Sequence, residues 1–286
     1  MPVFTPEYLH KVAYHIYRAK GTPDDEAEIV ARHLIKANLT GHDSHGIIQT
    51  PTYVERIDVG HIVPGAPFEV VQEAPCTAVI NGNWGFGFVV TEKATRMAIE
   101  KAKTNGVAAI TVHHQSHIGR LGDYPTMMAA EGMIGMITAD SGAAPKHVAP
   151  FGGIARKLGT NPICICMPSN LDGPVLMDMA SSTVALGKIA LARSRKEEIP
   201  VGWIVDKDGN PTTDPNDYYS GGAILPVGAD QGHKGYALPL MVEVFSGLLT
   251  GLGSGVAPEG AHTARVFIAA FPLDHSPPLA HCQQPL

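Results

Sequence analysis

Apolar residues recur at helical spacing from the start of the chain. Thr5-Pro6-Glu7 offers a capping hydroxyl and a first-turn proline, and Leu9, Val12, Ala13, Ile16 and Tyr17 follow on one face. A second start at Thr22-Pro23-Asp24-Asp25 sets acidic residues at the positive end of a helix. Its apolar face is Ile29, Val30, Leu34 and Ala37. Residues 1–67 therefore read as the N-terminal part of a mainly helical domain.

The pattern changes near Phe68. Short β-prone runs at 76–81, 107–112, 133–139, 162–167 and 174–178 alternate with helical stretches at 88–104, 123–131 and 183–196. Strands separated by helices predict an α/β domain over 68–225, with some parallel pairing. The Gly/Pro-rich stretch from Ser141 to Thr160 is too long for a simple connector, and such loops often carry function. From Gly235 the helical period returns, with Leu238, Met241, Val242, Phe245, Leu248 and Leu249 as one apolar stripe. Residues 226–286 are thus expected to complete the helical domain. Past Gly255 only Val266 to Phe271 resembles an element, and the tail from His275 to Leu286 is expected to be loose.

Composition narrows the function classes. With 286 residues, 44% hydrophobic and 17% charged, the chain can bury a large core. Its net charge of −6 carries no basic excess of the kind that binds nucleic acid or an anionic membrane. Small soluble ligands are the expected partners. Cys76, Cys164, Cys166 and Cys282 form no CxxC pair and read as reduced, packed thiols. The N-terminus lacks a signal-peptide pattern, and the apolar segment Ala237 to Leu249 is too short to span a bilayer. A cytoplasmic protein is expected.

Candidate chemistry is scattered. Gly82-Asn83-Trp84-Gly85-Phe86-Gly87 sits where a dinucleotide phosphate loop would, but it lacks the third glycine of GxGxxG. Taken alone it is a weak match, and an ordinary strand-to-helix turn is the better reading. His113, His114 and His117 are expected in a loop ending a buried strand. Their HHxxH spacing matches no zinc pattern, so no metal is expected. His117, in a Gly-flanked loop, suits general acid/base work because an unperturbed imidazole titrates near pH ~6.5. Ser44 and His45 form a second polar site, though as chain neighbours their side chains are expected to point apart. Gly159-Thr160-Asn161-Pro162 and Gly232-His233-Lys234-Gly235 are small-residue loops with one long polar side chain each. Residue types alone predict an α/β enzyme with a histidine-centred site.

Taken in order, six segments resemble a known family: GHDSHGIIQTPTYVERIDVGHIVPG (41–65), QSHIGRLGDY (115–124), VAPFGGIARKLGTNPICICMPS (148–169), LMDMASSTVALGKIALA (176–192), IPVGWIVDKDGNPTTDP (199–215) and HKGYALPLMVEVFSGLLTG (233–251). The chain resembles the malate/L-lactate dehydrogenase family of the non-Rossmann type, in wording closest to its hydroxycarboxylate dehydrogenase branch. The resemblance implies a non-Rossmann NAD(P)-binding α/β domain beside the helical one. It implies hydride transfer between NAD or NADP and a 2-hydroxy acid/2-oxo acid pair, in a homodimer. His117 matches the residue that exchanges the hydroxyl proton, while Ser44, His45 and Tyr53 match the lining of the substrate and nicotinamide pocket. Ser141, Thr160, Asn161, Asp178, Met179, Ala180 and Lys234 match cofactor contacts.

Two departures stand out. Many family members carry arginine at the position of Gln49, and a neutral amide cannot make the charge-assisted bidentate pair with a substrate carboxylate. Arg120, three residues past His117, is the candidate replacement; its alternative is a solvated helix-start residue. The family's glycine-rich contact is degraded near His262, and the chain diverges over 261–286, as a natural truncation, a frameshifted reading frame or an incomplete chain would. The readings kept beside the dehydrogenase are a cyclic imino-acid reductase on the same fold, a truncated inactive relative and a histidine-based metal hydrolase.

Overall fold

The computed structural model describes residues 3–141, 146–228, 231–251 and 264–275. Helix α1 (Pro6–Ala19) starts where Thr5 Oγ accepts the Tyr8 N–H at 3.2 Å. It packs on α2 (Asp24–Leu39), burying Ala13 and Tyr17 against Ala27, Val30 and Leu34. The same core takes in Tyr53 of α3 (Thr50–Asp58) and Phe86 and Phe88 at the start of α4 (Gly87–Asn105). The helical layer is therefore seated on the first turn of α4.

Among the described residues ten strands follow: β1 (Glu69–Glu73), β2 (Thr77–Gly85), β3 (Ala108–Gln115), β4 (Met133–Ser141), β5 (Ile163–Met167), β6 (Val175–Met179), β7 (Ile204–Val205), β8 (Pro211–Thr212), β9 (Ala223–Ile224) and β10 (Ala264–Pro272). Seven make one sheet in the order β1-β2-β3-β10-β4-β5-β6, and β8-β7-β9 make a small second sheet. Among the described residues only β2 and β3 pair in parallel, with α4 as their crossover, and the other neighbouring pairs of the main sheet are antiparallel. Helices α4 and α5 (Asp123–Ala130) touch each other and close a core over the main sheet. At its centre Ile268 of β10 stands opposite Ile110 of β3 and Ile137 of β4.

Three expectations need correction. The division at residue 226 leaves Val266 to Phe271 in the helical part, whereas β10 is the middle strand of the main sheet. Val266, Ile268, Ala269 and Ala270 are all buried, so the run shows no alternation to reveal a strand. Strand β3 runs on to Gln115, which puts His113 and His114 in the sheet rather than in a loop. Finally, α6 (Leu186–Arg195) and α7 (Pro215–Tyr219) are followed by α8 (Gly232–Val242), which passes into a π turn over Glu243–Gly247. The expected stripe is split: within α8 Val242 is buried while Leu238 and Met241 are exposed, and Leu248 and Leu249 beyond the π turn are exposed too.

The tail past His275 and the segment around His262 lie outside the described residues. In the Ser141-to-Thr160 stretch, Val148 bridges both Leu158 and Ile224, which ties the segment to the small sheet. No helix among the described residues is long and apolar enough to cross a membrane.

Candidate functional site

Beyond β3 the chain turns across the first residues of α4, and two glycines decide how close it comes. Gly87 donates its N–H to Ser116 Oγ at 2.9 Å. A Cβ on Gly87 would stand 2.2 Å from the Ser116 carbonyl oxygen and 2.5 Å from that of His117, so any larger residue pushes this segment away. Gly119 completes the turn at φ +73°, with Phe88 where its side chain would go. The backbone of His117 is thereby fixed against α4.

His117 itself is enclosed. Tyr53 Oη lies 2.7 Å from its Nδ1, and the Gly119 N–H donates to the same nitrogen at 3.3 Å. Burial, then the nearby His45 and Arg56, pushes the imidazole down to about 3, so the ring is neutral at pH 7. Burial pushes the Tyr53 phenol up, which keeps its hydroxyl protonated. The His45 ring is centred 5.4 Å from that of His117 and is also lowered, first by burial and then by His42. Expected to point apart, Ser44 and His45 instead meet, with Ser44 Oγ 2.9 Å from His45 Nδ1. They sit in a 3-10 turn over Asp43–His45.

A cleft of about 550 Å³ opens here, with Ser44, His45, His117, Arg120, Thr160 and Asp178 on its walls. Met179 and Ala180 continue the wall beyond Asp178. Sequence reasoning missed the next stretch, Ser182 to Ala185 with Lys188, which also faces the cleft. These residues lead into α6, whose first turn has no side-chain cap, so its amide end suits an anion. The run of small polar residues, Ser181-Ser182-Thr183, was the available signal.

Arg120 is only 10% exposed and is not a solvated helix-start residue. Its Nη1 donates to Asp123 Oδ1 at 2.9 Å, and its Nε stands 3.8 Å from Asp178 Oδ2 without a hydrogen-bond acceptor. Asp178 is held in turn by the Gly122 N–H at 2.9 Å. The cleft thus has a buried guanidinium with donors to spare.

Other expected site residues lie elsewhere. Gln49 braces the loop behind the cleft, its Nε2 donating to the Ser44 carbonyl at 2.7 Å. Tyr53 reaches the site only through His117. Asn161 is buried and donates to the Pro239 carbonyl at 3.1 Å and to Glu243 Oε1 at 3.0 Å, pinning α8. Lys234 is exposed on α8 and is not among the cleft residues. Ser141 is the last residue of β4. None of Gly82 to Gly87 borders the cleft, as an ordinary strand-to-helix turn requires. Among the described residues, no three His, Cys, Asp or Glu side chains gather as metal ligands would.

The family model described as malate/L-lactate dehydrogenase matches residues 4–275. A malate dehydrogenase from Pyrococcus abyssi is 42% identical over 235 residues, which is 81% of this chain and 64% of that protein. Hydroxycarboxylate dehydrogenase B from Escherichia coli O157:H7 is 38% identical over 250 residues, covering 87% of this chain and 68% of that one. The solved sulfolactate dehydrogenase from Methanocaldococcus jannaschii superposes with a TM-score of 0.87 at 36% identity, over 96% of this chain and 79% of that one. The chain therefore spans about two-thirds of the length of the curated relatives it matches. A match that runs through the helical layer, the seven-stranded sheet and the His117 turn alike leaves one assignment: the chain belongs to the malate/L-lactate dehydrogenase family.

Proposed function

We propose that the protein moves a hydride between NAD or NADP and a 2-hydroxy acid/2-oxo acid pair, with His117 exchanging the hydroxyl proton. The observation that carries this reading is the tethered, half-buried His117 sharing one cleft with Arg120. The cleft's volume of about 550 Å³ fits a bound cofactor, since ligand sites commonly enclose roughly 300–1,000 Å³. Thr160, Asp178, Met179 and Ala180 would hold the dinucleotide, and the uncapped start of α6 with Lys188 would face its phosphates. When bound, the nicotinamide accepts or returns the hydride at the substrate's C2 carbon.

The chain's own residues handle the proton and the carboxylate. Tyr53 and Gly119 occupy His117 Nδ1, so Nε2 is the nitrogen left for substrate. Tyr53 Oη accepts as well as donates, so the ring can carry its proton on Nδ1, giving up the longer Gly119 contact. Nε2 is then bare and takes the hydroxyl proton on oxidation. In the reverse direction the imidazolium returns that proton to the oxo oxygen, and a substrate carboxylate nearby favours this charged form. Arg120 takes the carboxylate, replacing the arginine that Gln49 lacks. The composition and the family resemblance support a cytoplasmic homodimer acting on small molecules.

The test is oxidation of NADH and NADPH against a panel of 2-oxo acids and a cyclic imine, with His117→Ala beside the native protein. Turnover of 2-oxo acids that falls by about 10²–10⁴-fold in the variant is the expected result. Turnover of the imine alone would instead make the protein a cyclic imino-acid reductase. No turnover by folded protein would make it an inactive relative.

A further inference from the structure

Behind Arg120 lies a file of buried charges that proton exchange at His117 does not use. His33 of α2 is 3% exposed, with Glu92 Oε2 of α4 3.0 Å from its Nε2 and Asp123 Oδ2 of α5 3.3 Å from its Nδ1. A neutral imidazole donates from one nitrogen only, so its other lone pair would face a buried carboxylate. The imidazolium donates from both. Tyr124 and Phe88 lie 5.4 and 5.5 Å from the ring and leave it no room to swing away.

We propose that His33 is a positioning residue for substrate binding: as an imidazolium it holds Asp123, and Asp123 holds the Arg120 guanidinium at the cleft wall. The proposal rests on the reading of Arg120 as the carboxylate grip. Asp123 shares its Oδ1 between Arg120 Nη1 at 2.9 Å and Lys36 Nζ at 3.1 Å, while Oδ2 faces His33. Once His33 loses its proton, Oδ2 loses its ion-pair partner and the carboxylate turns further onto Arg120. The guanidinium then has less to offer an incoming anion. The other charges around the ring are Arg32 and Arg96, both 2.8 Å from Glu92 oxygens, so the far end stays anchored. Burial lowers His33, but its interactions as a donor to Asp123 and Glu92 outweigh that and raise the group above 6.5. His45 and His117, lowered mainly by burial, titrate below 6.5, so an alkaline step belongs to His33.

The experiment measures kcat and KM for a 2-oxo acid from pH 6 to 9 in the native protein, His33→Gln, Glu92→Gln and Arg120→Gln. Native KM is expected to rise with pH in one step while kcat changes little. His33→Gln should show a KM about 5–10-fold higher at pH 6.5 and no step, the size of one lost hydrogen bond. Glu92→Gln removes one carboxylate from the ring without touching Arg120, and should move the step down by about one pH unit. A merely structural His33 would leave that midpoint where it is. Unchanged KM in Arg120→Gln overturns the grip reading and the proposal with it. Raised KM in Arg120→Gln, with a native profile in the other two, overturns the proposal alone. If His33→Gln does not fold, the Glu92→Gln midpoint decides.

Discussion

Tyr53 Oη reaches to 2.7 Å from His117 Nδ1 across 64 residues of sequence. The phenol rises from the helical layer and the imidazole hangs from the end of β3, so the contact joins the two main parts of the chain. It also fixes which ring nitrogen is left for chemistry. Tyr53→Phe keeps the ring packed against Phe88 and removes only the hydroxyl. Loss of that buried partner is worth about 1–3 kcal/mol. We expect kcat/KM to fall roughly 5- to 150-fold with little change in cofactor affinity. Steady-state kinetics and cofactor fluorescence titration check this, and unchanged kcat/KM would remove Tyr53 from the site.

Acid sensitivity follows from the same burial. His117 is pushed down to about 3 and His113 to about 4, in both cases mainly by burial. Unfolded, both titrate near 6.5, so below that pH the unfolded chain binds protons that the folded chain refuses. Stability from these groups is therefore complete above pH 6.5 and drains away as pH falls toward 4. His33, whose value is raised, runs the other way, and its contribution is lost as pH rises. Thermal melts between pH 4 and 8 should show Tm dropping on the acid side, with a shallower slope in His117→Asn. Equal slopes would refute the burial argument.

How much of this was legible beforehand depended on sequence distance. His117 could be found because a single histidine between a buried strand and a glycine already reads as a site, and the resemblance gave it a role. Helices α1 and α2 declared themselves through period, with the Thr5 cap starting α1 and acidic residues starting α2. By contrast, β10 pairs with β4 across 125 residues, as in the Arg265–Asp140 contact, and its burial on both faces erased the alternation. The file from Glu92 through His33 to Asp123 draws on three helices, and no local pattern marks it. Lys234 stood out for its glycine neighbours, yet it faces solvent, while Lys188 faces the cleft without any motif to flag it.

Gly87 makes a sharper prediction than its helical position suggests. In an exposed helix Ala is better than Gly by about 1 kcal/mol. Here the added methyl would meet the carbonyl oxygens of Ser116 and His117 at 2.2 and 2.5 Å, and backbone atoms cannot step aside cheaply. Gly87→Ala should therefore lose stability and displace His117 from Tyr53. We expect kcat to fall at least ~10-fold, because shifts of about 1 Å at a reacting group cost that much or more. A variant with native kcat and raised Tm would show that the turn yields more readily than these distances allow.

The middle strand is held by charge as well as by apolar packing. Arg265, wholly buried at the start of β10, contacts Asp140 of β4 and stands 3.7 Å from Glu243 in the π turn. Lys146 approaches the same two carboxylates at 3.6 and 3.5 Å. Burial lowers the guanidinium, but arginine stays charged at any working pH. Removing one partner of a buried pair costs about 3–5 kcal/mol, whereas replacing the whole group with apolar residues is often neutral. Arg265→Met should therefore destabilise the protein by about that amount, lowering Tm by roughly 10 °C. Adding Asp140→Leu should recover part of the loss, because one of the two carboxylates that faced Arg265 is then gone. If the double variant melts below the single one, the Asp140–Arg265 contact is not what fastens β10 into the sheet.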